Sequence, residues 1–421
     1  MNEIEARLDE LRSLGLHRRT RLVSGPQGPH VLVDGKPALL LCSNNYLGLA
    51  DHPTVRQAAA DAATRWGVGA GASRLVSGTM TIHRRLERCL AEFKHRQSAL
   101  LFGSGYLANT GIVAALARPG DVVFSDALNH ASIVDGCRLS RAEVFVYGHR
   151  DVEHLRWGIE RADGRGAMIV SDSVFSMDGD VAPLAELVEL AERFGLRTVI
   201  DEAHATGAVG PGGRGACAAA GIEDRVDVIV GTLGKALGAY GAFAACDEQM
   251  ARYLVNAART FIFSTALPPP VVAAALAALE LVVDEPRHVQ QLRANARTLH
   301  EALAAEGLAT GDSVTQIVPL LIGDPALATA VSEAALRRGV FAQAIRPPAV
   351  GADSSRLRLT VMATHHEREL RDAARRLAAA VRAAGRDGRT AVAERLRPAP
   401  ARTGSAGDEA RPAPAALRRA A

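Results

Sequence analysis

Two stretches of the sequence decide the fold: "RTVIDEAHATGAVG" (residues 197–210) and "VDVIVGTLGKALG" (residues 226–238). Each begins with a short apolar run and continues into polar and small residues, with Asp201 and His204 in the first and Thr232 and Lys235 in the second. Short continuous apolar runs are typical of strands that are covered on both faces of a parallel sheet. Ligands bind such sheets beyond the carboxyl ends of the strands. These polar residues are therefore site candidates.

The same alternation extends over residues 53–285. Helical stretches (54–66, 80–94, 106–117 and 183–194) separate seven apolar runs, which are "SALLF", "DVVFSD", "EVFVYG", "AMIVSD", "RTVID", "DVIVGT" and "GAFAAC". This pattern predicts an α/β fold with a mostly parallel seven-stranded sheet. Asp126, Ser171, Asp201 and Thr232 end runs of this kind and are site candidates by position.

The chain divides into four predicted regions. Residues 1–52 form an N-terminal helix and strand segment, in which "HVLVDGKPALLLCS" predicts two strands around an Asp-Gly turn. Residues 53–285 form the large domain. Residues 286–390 have the pattern of a smaller α+β C-terminal domain, which the N-terminal segment is expected to join. Residues 391–421 are rich in Ala, Arg and Pro, and their composition predicts a disordered tail.

Composition restricts the function classes. The chain is 48% hydrophobic and 23% charged with a net charge of +3, so we expect a globular protein that binds no nucleic acid. Its five cysteines lack metal-ligand spacing, which predicts reduced thiols in a cytoplasmic protein without a metal site. The apolar run at 271–283 contains Glu280 and is too short to cross a bilayer, so it predicts a buried helix rather than membrane contact.

The letters D-E-A-H at 201–204 raise the alternative of a helicase. Such an ATPase needs a phosphate loop, G-x-x-x-x-G-K-[ST]. The nearest stretch contains Gly234 and Lys235, but Ile229 replaces the first glycine and Ala236 replaces the hydroxyl residue that binds magnesium. The helicase interpretation therefore fails.

A lysine, an aspartate and a histidine at one sheet edge suit pyridoxal phosphate instead. Lys235, flanked by small residues in a loop, can bond to the cofactor's aldehyde. Asp201 can keep the pyridine nitrogen protonated, and His204 can bond the ring's phenolic oxygen. In this interpretation Glu202 and Ala203 are spacers.

Two further stretches fit the same cofactor. "FGSGYLANTG" (102–111) predicts a helix whose first N–H groups, at Gly105 and Tyr106, can bind the phosphate. His130, after another strand, can stack on the ring. Each feature alone is commonly structural, but all of them fall at equivalent strand ends.

The motifs together resemble the α-oxoamine synthases, which are fold-type I pyridoxal phosphate enzymes. The resemblance covers about residues 1–385. The stretches that carry it are "SNNYLGLA" (43–50), "GAGASRLVSG" (69–78), "LLFGSGYLAN" (100–109), "SDALNHASIVDGCRLS" (125–140), "VFSMDGD" (174–180), "DEAHATGAVG" (201–210), "GTLGKALGAYG" (231–241), "ARTFIFSTALPP" (258–269) and "AIRPPAV" (344–350).

The resemblance implies roles for individual residues. Lys235 would carry the cofactor and act as acid and base, with Asp201, His204 and His130 as further catalytic groups. The other residues that the resemblance implies as cofactor contacts are Gly105, Tyr106, Ser176, Thr232 and, from a partner subunit, Ser264 and Thr265. Its implied substrate contacts are Arg18, Asn44, His130, Ala349 and Arg358. Ala349 departs from the pattern, since related synthases often have Thr there.

The likeness is greatest to members that condense L-alanine with pimeloyl-CoA, or with the carrier-protein thioester, in biotin biosynthesis. The resemblance also implies a homodimer with shared active sites. The alternatives left open are a glycine-using member, such as glycine C-acetyltransferase or 5-aminolevulinate synthase, and an acyltransferase of secondary metabolism. An aminotransferase, an aldolase or a non-enzymatic binding protein would fit the motifs less well.

Overall fold

The N-terminal segment is a helix followed by a small hairpin. A computed structural model of the chain describes residues 3–14 and 16–387. The elements of this segment are α1 (Glu3–Ser13), β1 (Val23–Ser24), β2 (His30–Val33) and β3 (Lys36–Leu40). Asp34 and Gly35 join β2 to β3 with φ angles of 49° and 78°, as a tight hairpin turn requires. The predicted pair of strands around the Asp-Gly turn is confirmed.

The large region alternates helices and strands as the sequence predicts. Its elements are α2 (Pro53–Trp66), α3 (Thr81–Phe93), β4 (Ser98–Phe102), α4 (Gly105–Leu116), β5 (Val122–Asp126), α5 (Ala131–Ser140), β6 (Glu143–Tyr147), α6 (Val152–Arg161), β7 (Gly166–Asp172), α7 (Leu184–Phe194), β8 (Arg197–Asp201), α8 (Ala216–Ala219), β9 (Val228–Thr232), β10 (Ala242–Cys246), α9 (Glu248–Ala257), α10 (Arg259–Ile262) and α11 (Pro269–Asp284). Every one of the seven apolar runs forms a strand.

These seven strands form one sheet in the order β4-β10-β9-β8-β7-β5-β6. Neighbouring strands from β9 to β6 are parallel, and β10 runs antiparallel to both β9 and β4. β4 is consequently parallel to β9, so that the carboxyl ends of six strands lie at one edge. The fold class, a mostly parallel seven-stranded α/β sheet, is confirmed.

The core lies on both faces of this sheet. Every residue of β5, β9 and β10 is buried, because helices cover both faces. The Ala-rich α11 is buried along most of its length and packs against α2 and α3. Among residues 3–14 and 16–387, no helix is long and apolar enough to cross a membrane.

The C-terminal region adds a second, antiparallel sheet. Its elements are α12 (Arg287–Ala305), β11 (Ile317–Gly323), α13 (Pro325–Arg337), β12 (Val340–Phe341), β13 (Gln343–Ile345), β14 (Ser355–Thr360) and α14 (Glu367–Asp387). The sheet order is β11-β14-β13. β12 instead pairs with β3, with Val340 opposite Leu39, so the N-terminal segment joins this region. The predicted tail, 391–421, lies outside the described residues.

Candidate active site

Polar residues at three adjacent strand ends frame the candidate site. Asp172 ends β7 and lies opposite Asp201, which ends β8, while Thr232 ends β9. Helix α4 starts at the same edge, because it follows β4 by only two residues. The parallel strands therefore bring together residues that are far apart in the sequence.

Lys235 lies in the loop between β9 and β10, with its ammonium group buried. Its Nζ is 2.7 Å from Nε2 of His204. Burial lowers the pKa of Lys235 to about 8, although the carboxylates of Asp201 and Asp172 act in the opposite direction. The loop packs closely on the N-terminal segment, since a Cβ on Gly238 (φ +61°) would lie 2.3 Å from the Ala50 nitrogen. A buried amine with this pKa is suited to bond a carbonyl carbon at neutral pH.

His204 connects Lys235 to Tyr46 and, through it, to Arg358. Its Nδ1 is 2.6 Å from the hydroxyl of Tyr46, which also lies 3.2 Å from Nη2 of Arg358. Burial and the nearby positive charge of Lys235 hold the pKa of His204 well below its usual value. The ring is therefore a neutral imidazole with one N–H. Arg358 also donates to Oδ1 of Asn44 (3.2 Å), so these predicted substrate contacts lie together.

Asp201 is held in place by short hydrogen bonds. Its Oδ2 accepts from Nδ2 of Asn109 (2.6 Å), and its Oδ1 accepts from the backbone N–H of Ala203 (2.7 Å). Nδ2 of Asn109 also donates to Oγ of Ser132 (2.9 Å), whose hydroxyl is 2.8 Å from Nδ1 of His130. A continuous chain of hydrogen bonds thus joins Asp201 to His130.

His130 caps the start of α5. Its backbone N–H donates to Oδ2 of Asp172 (2.7 Å), which fixes the loop that carries the imidazole. Burial lowers the pKa of His130, although the charge of Asp201 opposes this. Burial and the neighbouring charge of Asp201 raise the pKa of Asp172 well above its usual value. His130 is therefore positioned as a neutral ring beside Asp201 and Lys235.

The start of α4 offers N–H groups at the same edge. Ser104 caps the helix through its hydroxyl, which accepts from the Leu107 N–H (3.2 Å). Gly105 and Tyr106 occupy the first two helical positions, where backbone N–H groups have no acceptor within the helix. Oγ1 of Thr232 donates to the Gly241 carbonyl (3.0 Å) and accepts from the Gly234 N–H (3.2 Å), which orders the loop that leads to Lys235.

Two other predicted residues, Ser176 and Arg18, take part in hydrogen bonds that involve a backbone carbonyl. The carbonyl of Ser176 accepts from Nε of Arg358, and no side-chain hydrogen bond of Ser176 occurs within the part of the chain that the structure describes. The exposed Arg18 donates to the Pro347 carbonyl (3.4 Å), which brings it near Ala349.

Ser264 and Thr265 lie in a segment that bridges Ser73. Between residues 16 and 387, no hydrogen bond joins either of them to Lys235 or His204. Two other strand-end candidates serve neighbouring loops, since Asp126 binds His149 and the Ser171 hydroxyl donates to the Asp172 carbonyl.

Glu202 is not a spacer, so that interpretation was wrong. Its carboxylate is fully buried and accepts from Nζ of Lys94 (2.5 Å) and from the Cys217 N–H (2.6 Å). A Cβ on Gly215 would lie 2.0 Å from this carboxylate, so glycine is required there. The ion pair between Lys94 and Glu202 therefore holds the turn after β8 against the end of α3. The Glu202 side chain points away from the side on which Asp201 lies and into the core.

Sequence reasoning missed Tyr46 and Asn109. Both stand inside motifs that carry the family resemblance, "SNNYLGLA" and "LLFGSGYLAN", which was the available signal. Their partners, His204 and Asp201, are distant in the sequence, so local pattern alone could not reveal the contacts.

The residues fit the cofactor that the sequence predicts. Lys235 supplies a buried amine with a lowered pKa, and Asp201 supplies a carboxylate held by Asn109. The start of α4 supplies N–H groups for a phosphate. Pyridoxal phosphate requires these three groups, and one sheet edge provides them together.

Comparisons with known proteins agree on one family. Residues 36–377 match the aminotransferase class I and II family. The chain is 51% identical over 378 residues to the 8-amino-7-oxononanoate synthase of Citrifermentans bemidjiense, a match that covers 89% of this chain and 97% of that protein. It is 53% identical over 376 residues to the 8-amino-7-oxononanoate synthase of Geobacter metallireducens, covering 88% and 96%.

Solved structures show the same fold. Serine palmitoyltransferase from S. paucimobilis, solved with bound PLP–myriocin, has a TM-score of 0.86 and 33% identity, covering 91% of this chain and 98% of that one. The 8-amino-7-oxononanoate synthase of Francisella tularensis has a TM-score of 0.70 and 25% identity, covering 82% and 98%.

Proposed function

Since this chain belongs to the aminotransferase class I and II family, we propose that it is a pyridoxal phosphate-dependent 8-amino-7-oxononanoate synthase. The enzyme condenses L-alanine with pimeloyl-CoA, or with pimeloyl carrier protein, and releases CO₂ and the free thiol. The product is an intermediate of biotin biosynthesis. About 50% identity to enzymes of this name, over nearly their whole length, supports the assignment.

One observation carries the chemical part of the proposal. The amine of Lys235 lies 2.7 Å from Nε2 of His204, and burial lowers its pKa to about 8 against the charges of Asp201 and Asp172. Pyridoxal phosphate, when bound, supplies an electron sink for a carbanion at the amino-acid Cα. Lys235 would hold the cofactor and then remove and return the Cα proton as general base and acid. Such catalysis contributes on the order of 10²–10⁴-fold.

The neighbouring residues would orient the cofactor. Asp201, held by Asn109 and Ala203, would keep the pyridine nitrogen protonated. His204 and Ser176 would contact the ring oxygen, and His130 would stack on the ring face. Gly105, Tyr106 and Thr232 would bind the phosphate, where the dipole of α4 favours negative charge.

Arg358 and Asn44 would bind the amino-acid carboxylate. The guanidinium is buried, is anchored by the Ser176 carbonyl, and presents two further N–H groups to Asn44 and Tyr46. A buried guanidinium favours a planar carboxylate partner. The acyl chain would lie toward Arg18 and Ala349, because Arg18 contacts the segment that precedes Ala349.

We also propose a cytoplasmic homodimer with shared sites. Val68, Val76 and Phe263 are 78%, 79% and 70% exposed, and the bridge between Ser73 and Thr265 brings their two segments together. A patch of this kind is expected to be covered by another protein surface. Ser264 and Thr265, at its edge, would then reach the partner's phosphate. Five free thiols favour a reducing compartment.

Product analysis tests the proposed function. Purified protein loaded with pyridoxal phosphate is incubated with pimeloyl-CoA and either alanine, glycine or serine, and the products are identified by mass spectrometry. We expect 8-amino-7-oxononanoate from alanine, and none from the Lys235→Ala variant. A product from glycine, with none from alanine, would assign the chain to a glycine-using member instead.

A further inference from the structure

The hydroxyl of Tyr46 stands between the two halves of the candidate site. It lies 2.6 Å from Nδ1 of His204, 3.2 Å from Nη2 of Arg358 and 3.1 Å from Oδ1 of Asn44. The Tyr46 ring is fully buried, so no bulk water competes for these bonds. The hydroxyl is therefore the one link between the proton-carrying pair, Lys235 and His204, and the carboxylate-binding pair, Arg358 and Asn44, in the described chain.

The chemistry of the neighbours restricts this hydroxyl. A guanidinium only donates hydrogen bonds and an amide oxygen only accepts them, whereas a neutral imidazole nitrogen can do either. Tyr46 must accept from Arg358, and the Gln316 side chain also lies within hydrogen-bonding reach of its hydroxyl. The single proton of the hydroxyl can go to Asn44 or to His204. Two arrangements are thus possible, and they require opposite tautomers of His204.

Lys235 selects between the two arrangements. With a pKa of about 8, its side chain is mostly an ammonium at pH 7, and an ammonium group has no acceptor. Nε2 of His204 must then accept from Nζ, so the one proton of the neutral ring is on Nδ1. Nδ1–H donates to Tyr46, and Tyr46 donates to Asn44. Each of these contacts then has one donor and one acceptor.

We propose that Tyr46 is a positioning residue that allows His204 to exchange its ring tautomer. The hydroxyl accepts from Nδ1 while Lys235 is a free ammonium, and donates to Nδ1 once Lys235 is bonded to the cofactor. The second arrangement rests on the proposed function, because His204 must then donate from Nε2 to the ring oxygen. For the proton balance, Nε2 takes a proton that Lys235 gives up as it bonds to the cofactor. The Nδ1 proton leaves to solvent through the cofactor side of the site, where Lys235 is only half-buried.

Phenylalanine at position 46 could neither accept a hydrogen bond from Nδ1 of His204 nor donate one to it. It would leave Nδ1 without a partner in both arrangements and would remove the bond between Arg358 and the tyrosine oxygen. The substitution keeps the ring and fills the same buried volume, so the loss is confined to the hydroxyl. Tyr147→Phe is a matched control, since Tyr147 is equally buried at the end of β6 and lies outside the cluster.

The test is NMR of protein labelled with ¹³C and ¹⁵N in histidine, which reports the tautomer directly. The His204 signals are assigned by their loss in His204→Gln. Wild-type protein without cofactor at pH 7 should show the proton on Nδ1, and protein loaded with pyridoxal phosphate should show it on Nε2. Cofactor-free Tyr46→Phe should show a mixture of tautomers, because Lys235 still favours Nδ1–H while that N–H has lost its acceptor. Tyr147→Phe should keep the wild-type exchange.

A second variant keeps the inference testable should Tyr46→Phe not fold. Asn44→Ala removes the acceptor that the hydroxyl needs in the first arrangement, so the cofactor-free variant should show a mixture of tautomers and the loaded variant only Nε2–H. One unchanged tautomer in both wild-type forms, or normal exchange in Tyr46→Phe, would overturn the inference. Failure of the proposed function is recognised separately, because normal exchange without 8-amino-7-oxononanoate formation contradicts only that function.

Discussion

At the scale of single residues, the pKa of Lys235 has a measurable consequence. Only the neutral amine attacks an aldehyde, and burial lowers the pKa of this amine to about 8. The rate at which cofactor-free protein takes up pyridoxal phosphate should rise about tenfold per pH unit below pH 8 and level off above it. Uptake can be followed by absorbance at several pH values.

The control for this experiment is the exposed Lys36. Lys36→Ala should leave both the rate and its pH dependence unchanged, since that side chain lies on the surface of β3. A rate that continues to rise beyond pH 10, as for an ordinary lysine, would contradict the assignment of Lys235 as the reacting group.

The positions of residues at strand ends follow from local pattern and were predicted, whereas contacts between distant residues were not. Asp201 and Lys235 each follow an apolar run, and the structure brings both to one edge. Most of the large region separates Tyr46 from its partner His204 in the sequence, and Asn109 reaches Asp201 from helix α4. Glu202 looked like a spacer because Lys94, its partner, lies at the end of α3.

At the scale of secondary-structure elements, the buried pair of Lys94 and Glu202 stabilises the turn after β8. The ammonium also donates to the Arg214 carbonyl, so the pair joins α3, the turn and the segment before α8. Lys94→Met would leave the carboxylate buried without its counter-charge. We expect a loss of about 3–5 kcal/mol in the free energy of unfolding, measured by chemical denaturation.

An exposed ion pair provides the comparison. Arg85 and Glu280 join α3 to α11 at 3.0 Å, but both side chains are more than half exposed. Arg85→Met should cost less than about 1 kcal/mol, because water screens the pair. Equal losses in the two variants would show that burial does not govern the Lys94 pair.

A second inter-element contact gives a pH dependence. His149, after β6, bonds Asp126 at the end of β5 (2.9 Å) and Asp180 (2.8 Å) in the loop after β7. Burial alone would lower the pKa of His149, but the bonds to Asp126 and Asp180 outweigh it and raise the pKa to about 9. The His149 imidazolium thus links the end of β5 to the loop after β7, at the edge of the sheet that carries the site.

The sign of this effect follows from the raised pKa. The folded state binds the proton more tightly than the unfolded chain, so the stabilisation is complete below about pH 6.5 and is lost as pH rises through 9. The difference in unfolding free energy between wild type and His149→Gln should be about 1 kcal/mol near pH 6 and vanish near pH 10. Adding Asp180→Asn to both proteins should reduce the difference. A difference that grows with pH would refute the interpretation.

The order of elements was predictable, but the direction of one strand was overlooked. The sequence predicted the strand at β10 without a direction. Only residues 233–241 separate β9 from β10, which leaves no room for the crossover helix that a parallel strand needs. The short length of this connection therefore indicates the antiparallel pairing. The N-terminal segment was expected to join the C-terminal region, but the particular pairing of β12 with β3 depends on tertiary packing between distant parts of the chain, which no local pattern contains.

At the scale of the whole molecule, the exposed patch formed by Val68, Val76 and Phe263 predicts the dimer. Phe263→Asp should place charge in the interface and convert the protein to a monomer in analytical ultracentrifugation. Activity should fall at least about tenfold, since Ser264 and Thr265 could no longer reach the partner's phosphate; this follows from a loss of about 1.4 kcal/mol or more in phosphate binding. Val146→Asp, on the exposed edge strand β6, is the control and should remain dimeric.

The pairing of β3 with β12 also governs when the enzyme can become active during its own synthesis. Tyr46 leaves the ribosome early, whereas Arg358, which donates to it, is among the last described residues to emerge. A nascent chain can pair β4 with β10 and bury most of the large sheet, yet it holds only half of the hydrogen-bond cluster. The hydrogen-bond cluster around Tyr46 and Arg358 therefore assembles late in synthesis, and nascent chains that end before β14 should be inert toward amino acids even when the large region has folded.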